Sequence, residues 1–63
     1  MSKQEFRELR KRNFRTQKAC GIWLHYATRQ VERWEAGYTP VPWTVATLMR
    51  LLDDGTITKE LEG

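Results

Sequence analysis

Apolar residues recur along this chain at spacings of three and four rather than in strict alternation, a pattern that predicts helices and no strand. Phe6 and Leu9, with Asn13 and then Phe14 beyond them, mark one face of a first helix over about residues 3–13. Ser2-Lys3-Gln4-Glu5 has the form of a capping box, in which the Ser oxygen takes a first-turn amide and the Glu reaches back. Lys3, Arg7 and Lys11 form a stripe on one flank of this helix, and Glu8 and Arg12 are spaced to pair on the other. Thr16 is placed to cap a second helix, about 17–24, whose apolar positions are Ala19, Cys20, Trp23 and Leu24. Gly21 inside it costs about 1 kcal/mol relative to Ala, which makes sense where another helix crosses closely.

After a break at His25-Tyr26-Ala27, a third helix is expected over 28–36, with Val31 and Trp34 inward and Gly37 as its stop. Pro40 and Pro42 force a loop through residues 38–42. Pro42 also suits the first position of a fourth helix, about 42–53, with Val45, Leu48, Met49 and Leu52 as its stripe and Asp54-Gly55 as its end. The tail 56–63 is too short to assign, and its Ile57 and Leu61 are candidates to complete the core or to touch a second subunit. The expectation is an all-α fold, one domain over 1–63, of four helices with room for a short fifth turn.

Composition narrows the function classes. At 63 residues the chain has space for one domain, and a domain this small buries only about 60% of its unfolded surface, so it gains from outside support. A lone cysteine, Cys20, excludes an internal disulfide, and a lone histidine, His25, leaves no zinc quartet. Each has an ordinary structural reading, Cys20 as a small buried hydrophobe and His25 as a turn residue. No apolar run approaches the ~18 residues of a membrane span, and Met1 to Glu5 lacks the apolar stretch of a signal peptide. A soluble, cytoplasmic chain is expected. There is no Gly-rich phosphate loop and no paired nucleophile and base, so no enzyme, metal, cofactor or small-molecule ligand is expected.

Charge changes the picture more. The net charge is only +3, but Lys3, Arg7, Arg10, Lys11, Arg12, Arg15, Lys18, Arg29 and Arg33 all fall in the first 33 residues, against Glu5, Glu8 and Glu32. The remainder holds Arg50 and Lys59 against Glu35, Asp53, Asp54, Glu60 and Glu62. Such asymmetry suggests a basic face that meets a polyanion and an acidic end turned away from it, although a charge run is also what a solvated helix surface looks like.

Two short helices joined as tightly as the second and third have the helix-turn-helix arrangement. Thr16-Gln17, Ala19-Cys20-Gly21, Leu24, Val31 and Trp34-Glu35-Ala36-Gly37 resemble, without a gap, the lambda-repressor-like helix-turn-helix domains of phage repressors and the related Xre-type regulators. Gln17 matches the Gln that opens the family's second helix, and Gly21 its small-residue position. Trp34-Glu35-Ala36-Gly37 matches its W-E-x-G ending, and Leu9-Arg10 fits its first helix. The resemblance spans about residues 6–52. Two departures stand out: His25 occupies a turn position where the family prefers Gly, because the backbone there is left-handed. Ala27 sits where a Ser or Thr usually caps the recognition helix, leaving Thr28 to take over as cap. The stretch Gly37 to Val45 also looks similar to compact regulators encoded beside phage anti-CRISPR genes.

The resemblance implies a sequence-specific, DNA-binding transcriptional regulator, a repressor acting as a homodimer on an inverted-repeat operator. Val31 and Trp34 share one side of the helical wheel, and the other side holds Arg29, Glu32, Arg33 and Ala36. In the family that side enters the major groove with its N-terminal residues nearest the bases, which makes Thr28, Arg29, Glu32 and Arg33 the base-reading set. Arg29 and Arg33 can fork onto guanine O6 and N7, and Glu32 can accept from cytosine N4. The alternative for these three is mutual pairing on a solvated surface. Thr16, Gln17 and Lys18, at an N-terminus that favours anions, would hold the DNA backbone. The resemblance adds Tyr38, Thr39, Trp43 and Thr44, with Lys3, Arg7 and Lys11 from the first helix, although Trp43 is equally a core candidate. It also implies a structural salt bridge between Arg10 and Glu35. Ile22 and Trp23, on a side of the second helix that is usually polar in this fold, favour the competing reading of a phage-type protein-interaction or inhibitor module. An excisionase-like architectural DNA binder is a third.

Overall fold

The computed structural model describes residues 1–59, and those residues form four helices and no strand. They are α1 (Lys3–Asn13), α2 (Gln17–Leu24), α3 (Thr28–Ala36) and α4 (Trp43–Asp53). Local chemistry sets most of their ends. Ser2 Oγ accepts from the Glu5 amide at 3.1 Å, and Thr16 Oγ1 accepts from the Ala19 amide at 3.0 Å, so each stands as an N-cap. The other half of the expected capping box is absent. The Glu5 carboxylate instead accepts from Arg50 of α4 at 3.3 Å, because a cation on a neighbouring helix outcompetes a neutral amide.

α2 and α3 both end in a left-handed residue followed by an amide that reaches back five positions. His25 adopts φ 64° and Tyr26 N–H donates to the Gly21 carbonyl at 2.8 Å. Gly37 adopts φ 83° and Tyr38 N–H donates to the Arg33 carbonyl at 2.9 Å. This is the Schellman arrangement, which satisfies carbonyls that the helix leaves open. Two expected helix starts need correction. α3 begins at Thr28, but its N-cap is Ala27, with no side-chain cap, so Thr28 does not take over that role. α4 begins at Trp43, with extended Pro42 as its N-cap rather than its first helical residue.

The core is Phe6, Leu9 and Phe14 from α1 and its end, Cys20 and Leu24 from α2, Val31 and Trp34 from α3, and Val45, Met49 and Leu52 from α4. α3 packs on α2 and α1, and α4 packs on α1. Trp34 holds the centre: the Phe6 ring meets it edge-on at 5.5 Å and the Tyr26 ring at 4.9 Å, geometries that suit the aromatic quadrupole. The α4 stripe differs from expectation. Ala46 is buried and Leu48 is exposed, because the helix turns Val45, Ala46, Met49 and Leu52 inward and leaves Leu48 on its flank. Asn13 is not an apolar-face residue either. Its amide donates to the Leu9 carbonyl at 2.8 Å and to Asp53 at 3.1 Å. The expected Glu8–Arg12 pair gives way to Arg12–Asp53, a two-point ion pair with distances of 2.8 and 3.1 Å that joins α1 to α4. A fork matched to a carboxylate across helices is better geometry than one turn of helix offers.

Ile57 is half-buried against the core, and the chain runs from Asp54 to Lys59 as turns. Leu61, the other tail residue expected to complete the core or to touch a second subunit, lies outside the described residues. Among the described residues no helix is long and apolar enough to cross a membrane.

Candidate nucleic-acid interface

α3 is held on three sides. Val31 and Trp34 are fully buried beneath it. Arg10 of α1 donates from Nε to Glu35 Oε2 at 2.7 Å and from a terminal nitrogen to Oε1 at 3.3 Å, and both side chains are about nine-tenths buried. Gln30 donates to the Thr39 hydroxyl at 3.2 Å, which ties the following loop to the helix. With these anchors in place, Arg29, Glu32, Arg33 and Ala36 face outward and are exposed, while Thr28 at the helix start is half-buried. The structure therefore brings Arg29, Glu32 and Arg33 onto one outer face.

They do not pair with one another. Among the described residues the ion pairs are Arg10–Glu35, Arg12–Asp53 and Arg50–Glu5. Every one of them joins α1 to another helix, so these cations work in the fold. Lys3, Arg7, Lys11, Arg15, Lys18, Arg29 and Arg33 have no ion-pair partner among the described residues, and all of them come from the basic first half of the chain. The surface charge is thereby sorted into structural arginines and available ones.

The remaining backbone-contact candidates fall into groups. At the start of α2, Thr16 and Lys18 are exposed and Gln17 is half-buried. No acid stands in that first turn, so its positive end is not neutralised locally. Tyr38 and Trp43 are 82% and 78% exposed, and Thr44 is exposed beside Trp43. That exposure removes Trp43 from the core. Thr39 is half-buried, with its hydroxyl engaged by Gln30. On α1, Arg7 and Lys11 are exposed and share a shallow depression with Gln4 and Glu8. Lys3 is different: its stem lies so close to Gly37 that a side chain there would sit 2.9 Å from Lys3 Cδ. Its ammonium is thus carried toward the C-terminal end of α3, where carbonyls favour a cation.

Sequence reasoning missed Gln30, whose signal was available: it sits between the buried and exposed sides of the wheel, nine residues from a loop hydroxyl. It also missed Arg15, which leaves the α1–α2 turn exposed and without an ion-pair partner among the described residues. Cys20 is no candidate for chemistry. Burial pushes its thiol up to about 12, Arg10 pulling the other way and Glu35 adding to the rise, so it stays neutral and packs as an apolar residue. Among the described residues no group of three or more His, Cys, Asp or Glu is placed to hold a metal ion. Comparison with family models, with curated proteins and with solved structures finds no match to this chain.

Proposed function

We propose that this chain is a sequence-specific DNA-binding transcriptional regulator, a helix-turn-helix domain of the phage-repressor and Xre type in which α3 reads the major groove. The carrying observation is the sorting of charge: α3 presents Arg29 and Arg33 on one outer face, with no ion-pair partner among the described residues, while its other sides are locked to the core. A rigid helix with free guanidinium forks is what bidentate reading of guanine requires, each good pair giving about 1–3 kcal/mol of discrimination. Glu32 between them accepts from cytosine N4, and the two flanking cations offset its repulsion from phosphate. Thr28 stands at the N-terminal end, which lies deepest in the groove.

Phosphate contacts then set register. The unneutralised N-terminal turn of α2 offers the Gln17 and Lys18 amides, the Lys18 ammonium and the Thr16 hydroxyl. Tyr38, Trp43 and Thr44 border the DNA on the far side of α3, Thr39 through the hydroxyl that Gln30 also binds. Lys3, Arg7 and Lys11 add attraction from α1. One such helix reads only a few base pairs, so the functional unit is a homodimer on an inverted repeat, repressing by occupancy. Arg10–Glu35 is a fold contact in this scheme.

Selection of duplexes from a random library, followed by a salt titration of the enriched sequence, tests the reading. The enriched duplex should bind at least about tenfold tighter than random DNA at equal salt. Its log affinity should fall linearly with log salt at a slope of about −0.9 per phosphate contact. Arg33→Ala should relax preference at one base pair by about 1–3 kcal/mol while costing random DNA little. Failure of any duplex to outcompete random DNA sinks the proposal.

A further inference from the structure

The turn after α1, the outer side of α2 and Lys59 border an open, shallow cleft of about 530 Å³ lined by Phe14, Arg15, Ala19, Ile22, Trp23 and Lys59. Its floor is apolar, with the Trp23 ring tilted against Phe14 at 5.7 Å and Ala19 half-buried beside them. Ile22 stands at the edge, 67% exposed. Among the described residues, Arg15 and Lys59 are the charged residues of the lining, and no carboxylate is among them. Lys59 forms a wall of the cleft. Trp23 Nε1–H donates to its carbonyl at 2.8 Å, its ammonium donates to the Asn13 carbonyl at 2.6 Å, and the same ammonium lies 5.3 Å from the Phe14 ring centroid. No residue of α3 takes part.

We infer that this cleft docks a short acidic segment of another protein, which seats one large apolar side chain on Phe14, Trp23 and Ile22 and sets carboxylates against Arg15 and Lys59. Charge complementarity selects this occupant. A second copy meeting the same face across a two-fold axis would set one cation-bearing patch against another, which repel. DNA supplies phosphates for the cations but leaves the apolar floor uncovered, since backbone contacts are polar and ionic. An acidic peptide with an apolar anchor answers both features, and Trp and Arg are the residue types that most often dominate such contacts. The site shares no residue with the α3 face or with the phosphate-contact set, although Arg15 and Ala19 flank Thr16 to Lys18 of that set.

Selection of displayed random peptides on the full chain tests it. Enriched peptides should carry a bulky apolar residue flanked by Asp or Glu and should shift the Trp23 indole N–H resonance. They should lose about tenfold or more in affinity for Ile22→Ser and for Arg15→Gln. Both substitutions fall at exposed positions and should leave the helical circular dichroism intact, and Ile22→Ser should leave duplex affinity within about twofold. Peptides without acids, or peptides that bind Ile22→Ser as tightly as the parent, overturn the proposal. So does a dimer that Ile22→Ser dissociates, which gives the cleft to a second copy. A loss of about tenfold in duplex affinity for Ile22→Ser gives it to DNA, and a gain of about tenfold in peptide affinity for Leu61→Ser gives it to the chain's own end.

Discussion

His25 and Gly21 show how tightly the α2–α3 connection is drawn. His25 takes the left-handed conformation at φ 64°, which a non-Gly residue occupies at a cost of about 1–2 kcal/mol. Its position as C-cap of α2 makes that conformation necessary, and the departure from glycine was visible in the sequence. Gly21 was expected to sit under a crossing helix. The neighbour proves to be the turn itself: a Cβ at Gly21 would stand 2.7 Å from the Tyr26 carbonyl oxygen, with the Ala27 and Thr28 backbone next at 3.5 Å. Backbone cannot move aside as a side chain can. Gly21→Ala should therefore destabilise the fold by about 1–3 kcal/mol despite Ala's better helix propensity, read as a lower midpoint in urea unfolding. A neutral or stabilising result would mean that the turn relaxes freely.

Between elements, ion pairs decide which helices stay together. Arg10–Glu35 is nearly buried and two-pointed, so deleting one partner strands the other in the core. Glu35→Ala should cost about 3–5 kcal/mol, and the double change Arg10→Met with Glu35→Leu should recover most of it, because an apolar pair of similar volume avoids desolvating charge. Thermal unfolding of the four species forms the cycle. A double variant as weak as the single would assign the pair a net stabilising role beyond charge balance. The Arg12–Asp53 contact is exposed and acts differently. Hydrogen bonds from Arg12 and then Asn13 hold the Asp53 carboxyl below its ordinary value. Thr56 does the same for Asp54. A depressed folded-state value means that these groups stabilise the fold above about pH 3.9, and that the contribution disappears as pH falls through the lower folded value. Stability measured from neutral pH downward should accordingly drop in acid, and the drop should be shallower in Asp53→Asn. An unchanged acid limb would show that Asp53 is equally ionised in both states.

At the scale of the molecule, the carboxylates that the second half supplies to α1, Glu35 and Asp53, pair with Arg10 and Arg12. Arg50, of the acidic half, is spent on Glu5, and Asp53 on Arg12, so much of the charge of α4 is consumed in holding α1. What remains exposed on α4 includes Trp43 and Leu48. Under the proposed dimeric DNA binding, two chains bind half-sites about one helical turn apart. Inserting about 5 bp between the half-sites turns them to opposite sides of the duplex and should abolish paired binding while leaving single-site binding intact. Equal affinity for both spacings would mean that the chains bind singly.

Helix number and most helix boundaries were legible in the chain because they are set locally. Ser2, Thr16 and Gly37 act within a turn of their own helix, and the spacing of Phe6, Leu9, Val31 and Trp34 states which side is buried. So was the outward face of α3, which follows from period alone. Tertiary structure alone decided the partners of the charged groups. Glu5 lies 45 residues from Arg50 and Arg12 lies 41 from Asp53, separations at which no local spacing carries information. It also decided that α4 buries Ala46 in place of Leu48 and turns Trp43 outward, since the rotation of a helix about its axis is chosen by what it packs against. A cap is a bond between neighbours; an ion pair between helices exists only once the core has brought them together.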